Sequence, residues 1–96
     1  MTGTLGLAMR ARKLILGTEI VSNSIAKGEV KLVLVSSSAS NNTKKLVANK
    51  SKHYDVPLIE LDDLILNQAI GKVNIKVVGV IDSGFAKSLL SKGGML

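Results

Sequence analysis

The sequence predicts a small α/β domain built as a three-layer α/β/α sandwich. Three observations lead there. Apolar residues recur along the chain at helical spacing, in segments that end at glycines. Between those segments lie short β-favouring runs, and Leu32-Val33-Leu34-Val35 is continuously aliphatic. A strand without polar alternation is buried on both faces, so helices must cover the sheet from both sides. The third observation is length: 96 residues support one domain with one core. At 46% hydrophobic residues but a single Phe and a single Tyr, that core is aliphatic.

Taken in order, Leu7, Ala8, Ala11, Leu14 and Ile15 fall at helical spacing around Arg10, Arg12 and Lys13, which predicts an amphipathic first helix stopped at Gly17. Thr18 then caps a second helix carrying Val21 and Ile25 and ending at Gly28. Residues 30–35 form a buried strand. The Ser/Asn-rich stretch 36–42 supplies a loop and helix N-caps. A third helix covers 43–53, apolar at Leu46 and Val47, followed by a short strand at 56–59 opened by the only proline. Asp62 or Asp63 caps a fourth helix through Leu64, Ile65 and Ala69, stopped at Gly71. Residues 73–81 read as the last strand. Ser83 caps a fifth helix carrying Phe85, Ala86, Leu89 and Leu90 and closed by Gly93 and Gly94.

Charge narrows the partners. Thirteen Lys and Arg against seven Asp and Glu give +6 and a pI near 9.9, a balance suited to polyanions, although a basic surface kept for solubility reads the same way. Residues 1–53 hold nine basic and two acidic groups, residues 54–96 four and five. The absence of cysteine removes disulfides, thiolate metal sites and a cysteine nucleophile. Neither a signal-peptide pattern nor a span-length apolar run is visible, so the chain reads as soluble and cytoplasmic, with no membrane partner.

No catalytic constellation emerges. His53 is the only histidine and has no metal-ligand spacing around it. Ser36, Ser37 and Ser38 lack a nucleophile elbow and a base. Asp62 and Asp63 are adjacent at a helix start, where capping explains them. The reading is non-enzymatic, with no metal, no cofactor and no small-molecule substrate. Only Tyr54 and Phe85 offer rings, too few for a single-strand stacking platform.

The order of elements, with Leu7-Ala8, Gly17-Thr18, Gly28 and the strand Lys31-Leu32-Val33-Leu34-Val35, resembles the kink-turn-binding ribosomal-protein superfamily of archaeal L-seven-Ae and eukaryotic L-thirty-e type. Gly6-Leu7-Ala8, Arg10-Ala11-Arg12-Lys13, Ala39-Ser40, Asn42-Thr43-Lys44-Lys45 and Asp82-x-Gly84-Phe85-Ala86 look like its bacterial YlxQ-type branch. The resemblance implies an RNA-binding protein that grips a kink-turn or similarly bulged stem, in the ribosome or another ribonucleoprotein. The matching contact positions are Gly17, Thr18, Glu19, Ile20 and Asn23 at the second-helix start, with Gly71, Lys72, Val73, Asn74 and Ile75 before the last strand; Lys27 and Lys31 are expected beside them. A glycine lets backbones approach, a helix N-terminus and lysines attract phosphate, and an apolar side chain packs on an unstacked base. Lys13, Lys27, Lys31, Lys44, Lys45 and Lys72 are either a phosphate-facing belt or separately solvated. The family pattern Gly-x-Asn-Glu-x-x-Lys is altered here at Glu19, Ile20 and Asn23, Ser38 stands where Asp is frequent, and Asp63 where Lys is frequent. A protein-interaction or assembly factor that keeps the fold and has lost kink-turn recognition is the alternative.

Overall fold

The computed structural model describes residues 3–92. Its elements run α1 (Gly3–Arg10), β1 (Leu14–Leu16), α2 (Thr18–Ala26), β2 (Leu32–Ser36), α3 (Asn41–His53), β3 (Leu58–Leu61), α4 (Asp63–Ile70), β4 (Val77–Val80) and α5 (Ser83–Lys92). The predicted closure at Gly93 and Gly94 lies outside the described residues.

The strands form one mixed sheet in the order β1-β4-β2-β3. β4 is antiparallel to both neighbours, with Leu16 opposite Val78 on one side and Leu34 opposite Val78 on the other, while β2 and β3 are parallel. Alternation along the strands divides the core in two. Leu32, Leu34, Val78 and Val80 join Leu61 under Leu5 of α1, Leu66 and Ile70 of α4, and Leu89 of α5. The opposite face, with Val33, Val35 and Val77, is covered by Val21 and Ile25 of α2 and Val47 of α3. The expected three-layer sandwich is therefore present, with β2 buried along its whole length. Gly79 lies opposite Ile15 on the α2 side; a Cβ there would come within 3.0 Å of Ile15 Cγ1 and 3.3 Å of Val21 Cγ1, so its bare backbone lets α2 sit down on the sheet.

Five local expectations differ from the structure. The first helix does not reach Gly17: it ends at Arg10, and Leu14 and Ile15 belong to strand β1. The stop is a Schellman motif, in which the Lys13 N–H donates to the Ala8 carbonyl (2.9 Å) and the Arg12 N–H to Met9 (3.1 Å), with Arg12 left-handed at φ 60°. Leu7, expected inside, is exposed. In α4 the buried pair is Leu66 and Ile70, four residues apart, whereas Leu64 and Ile65 face solvent. Leu46 of α3 and Leu90 of α5 are likewise exposed. Residues 73–76 are not strand, because Asn74 at φ 63° turns the chain out of extended geometry before β4 begins. Two expected caps also shift by one residue. Gly17 rather than Thr18 occupies the N-cap of α2, and the Asp82 carboxylate accepts from the Phe85 N–H (2.9 Å) at the start of α5. At α4 the cap is Asp62, whose carboxylate accepts from the Leu64 N–H at 3.1 Å.

Candidate nucleic-acid interface

The first proposed contact begins where β1 hands over to α2. The Gly17 N–H donates to the Val77 carbonyl at 2.9 Å, pinning the helix start to the beginning of β4. Gly17 has φ 110° and ψ 142° and offers no side-chain cap, so the N–H groups of the first turn of α2 point outward without a side-chain acceptor. Thr18 is half-buried at this start, while Glu19, Ile20 and Asn23 are exposed, Ile20 to 58%.

The second contact reaches the same end of the sheet because it is the segment that feeds β4. Gly71 closes α4 in a left-handed turn, and Lys72, Val73 and Asn74 follow in the open, with Ile75 tucked against the core. Val73 is 75% exposed and Leu64, on α4, 71%. Together with Asn67, Gln68, Gly71, Lys72 and Ile75 they line a shallow, mainly apolar groove of about 660 Å³.

The Gly17 to Val77 bond thus brings the start of α2, where Gly17 to Ile20 stand with Asn23 further along the helix, to the strand that the Gly71 to Ile75 segment feeds. Lys27 and Lys31 do not join them. Lys27 caps the far end of α2, nine residues and ~13 Å along the helix. The Lys31 N–H donates to Val80, at the opposite end of β4 from Val77 (2.7 Å). Closeness in sequence to the second helix hid the fact that this helix runs the length of the sheet.

Sequence reasoning missed the polar network that braces this end. The buried Ser36 hydroxyl at the close of β2 donates to Asp63 Oδ1 at 2.6 Å. Lys76 Nζ donates to the same oxygen at 3.2 Å and to Ser38 Oγ at 2.7 Å, and Asn67 Nδ2 donates to Asp63 Oδ2 at 3.1 Å. Held by the Ser36 hydroxyl above all, and by Ser38 and Lys76, the Asp63 carboxyl falls from 3.8 to about 2. The network ties α4, the end of β2 and the last residue of the 71–76 loop into one piece, and it engages Lys76 internally. Its only sequence signal was the pair of departures at Ser38 and Asp63. Among the described residues no group of three or more His, Asp or Glu could hold a metal ion, and no helix is long and apolar enough to cross a membrane.

The sequence pattern of the ribosomal protein L7Ae/L30e/S12e/Gadd45 family matches residues 1–90. The chain is similar to the RNA-binding protein YlxQ of Enterococcus faecium, at 49% identity over 84 residues covering 86% of this chain and 81% of that one. It is 43% identical to the RNA-binding protein YlxQ of Bacillus subtilis (strain 168) over 88 residues, 91% of this chain and 88% of that one. A solved structure of a protein of unknown function from Bacillus halodurans C superposes with a TM-score of 0.88 at 40% identity, covering 92% of this chain and 90% of that one.

Proposed function

The chain belongs to the ribosomal protein L7Ae/L30e/S12e/Gadd45 family, and from that membership we propose that it is an RNA-binding protein that recognises a kink-turn or similarly bulged stem within a ribonucleoprotein such as the ribosome. Relatives named as RNA-binding proteins support the general reading. The observation that carries the finer one is the Gly17 to Val77 hydrogen bond, which sets the uncapped start of α2 beside the loop feeding β4. A sharply bent stem presents a phosphate to the helix N-terminus, while an unstacked base settles on Val73 and Ile75. Lys72 is the loop cation outside the Asp63 network, and Asn23 offers both donor and acceptor to a base edge.

The test is a fluorescence-anisotropy titration of a kink-turn stem against a fully paired stem of equal length, across several salt concentrations. Contacts to phosphate alone weaken on both stems alike as salt rises. Kink-turn recognition gives a preference of about tenfold or more, ~1.4 kcal/mol, that persists at high salt and is eroded by Asn23→Ala. Equal, salt-labile binding to both stems removes the reading.

One observation favours a second reading. Ile20, Leu64 and Val73 are large apolar residues left in solvent at one end of the sheet, a pattern that also suits a protein partner in an assembly role. On that reading Ile20→Ser leaves RNA affinity unchanged.

A further inference from the structure

The cations of this chain are not concentrated at the end of the sheet just described. There Lys44 pairs with Glu60 at 3.7 Å and Lys76 with Asp63 at 3.2 Å, leaving Lys45 and Lys72 against Glu19 and Asp62. From the opposite end we infer a second RNA-binding surface, which holds the phosphate backbone of a separate paired stem through Arg12, Lys13, Lys27 and Lys31. This shares with the reading above only the choice of RNA as the polyanion.

The sheet order builds the surface. β1 and β2 flank β4, and Lys13 and Lys31 immediately precede those two strands. The Lys13 carbonyl accepts from the Ile81 N–H at 2.9 Å, and the Lys31 N–H donates to the Val80 carbonyl at 2.7 Å. Their backbones therefore straddle the end of β4 at about two strand spacings, ~10 Å. Arg12, held outward by its left-handed turn, and Arg10 at the close of α1 lie on the β1 side, and Lys27 at the end of α2 on the other. All five side chains are exposed, and among the described residues the ion pairs use only Lys44 and Lys76. Lys52, next to last in α3, adds a sixth charge at this end.

Three carboxylates share the region, Glu29, Asp55 and Asp82, and that of Asp82 is engaged by the Phe85 N–H. Cations remain in excess. The helix C-termini of α2 and α3 also point this way, and their carbonyls account for Lys27 and for the 3.3 Å contact of Lys31 Nζ with Gly28 O. The C-terminus of α1 accounts likewise for Arg10 in its last turn, which leaves Arg12 and Lys13 at the head of β1. Exposed lysine and arginine outside any ion pair among the described residues, spread ~10 Å apart over a sheet end, suit contact with successive phosphates and carry no base readout. With a kink-turn at one end and a paired stem at the other, one molecule would bridge two RNA segments.

The test titrates the wild type and the triple variant Arg12→Gln/Lys13→Gln/Lys31→Gln with a fully paired RNA stem over a salt series. Losing three phosphate contacts makes the slope of log K against log salt shallower by about 2 to 3. Paired-stem affinity at low salt falls by about tenfold or more, with an unchanged thermal midpoint and an unchanged kink-turn affinity at high salt. Energy transfer between a labelled kink-turn and a labelled paired stem appears with wild type and is lost in the triple variant. A slope within half a unit of wild type overturns the proposal. A flattened slope without kink-turn preference sustains this surface while removing the reading above, and the reverse pattern removes this surface alone.

Discussion

Replacing Gly17 by alanine isolates the backbone geometry on which the interface rests. At φ 110° and ψ 142° Gly17 occupies a region that L-residues enter only under strain, at a cost of about 1 to 3 kcal/mol. No atom outside the neighbouring residues lies within 4 Å of where a Cβ would stand, so the substitution adds no clash. Nor does it remove a side-chain cap, since none exists. Against the strain stands a gain of roughly 0.4 to 1 kcal/mol from a stiffer unfolded chain. The net expectation is a loss of about 1 to 2 kcal/mol, which for a chain of this size lowers the thermal midpoint by roughly 5 to 15 °C. Urea denaturation followed by circular dichroism measures it. Gly17→Ala within 0.5 kcal/mol of wild type would refute the reasoning.

Other expectations follow from the same structure. Because the Asp63 carboxyl titrates at about 2 in the folded protein against 3.8 ordinarily, its contribution is present above the ordinary value and is lost as pH falls from about 4 towards 2. Asp63→Asn should therefore flatten the acid limb of a stability profile over that interval; an identical limb in both proteins would show that the network does not couple to folding. Gly79→Ala presses a methyl to 3.0 Å from Ile15 Cγ1, an overpacking cost of about 1 to 3 kcal/mol, offset in part by the ~0.5 to 1 kcal/mol by which Ala exceeds Gly in a strand. Its cost should shrink in an Ile15→Ala background, and strict additivity in the double-mutant cycle would contradict the proposed contact. Val73→Ser, at a 75% exposed position, should change stability by less than about 0.5 kcal/mol while weakening kink-turn binding measurably in the anisotropy assay; unaltered affinity would remove Val73 from the interface.

Features governed by neighbours in sequence were legible in advance. The unbroken aliphatic run of β2 required cover on both faces, and helices on both faces supply it. Gly28 and Gly71 ended their helices as expected, since a left-handed C-terminal turn is a local event that glycine advertises. The start of α2 and the loop before β4 were singled out through a resemblance, and the Gly17 to Val77 bond joins the first to the strand that the second feeds.

What remained hidden depended on partners distant in sequence. Leu14, Ile15 and Leu16 continue a helical pattern as readily as they make a strand, and only pairing with Val78, Gly79 and Val80 decides between the two. The helix stop that frees them uses Arg12 instead of glycine, so no residue type announced it. Asp63 looked like a helix cap until Ser36 and Lys76, 27 and 13 residues away, were seen to converge on it. Lys27 and Lys31 seemed to belong with Gly17, yet a helix that spans the sheet carries its two ends to opposite sides of the molecule. Local sequence chose which segments became helices and which ran extended through the core, because those preferences arise within a few bonds. Long-range strand pairing and packing alone determined which charges and apolar side chains share a surface.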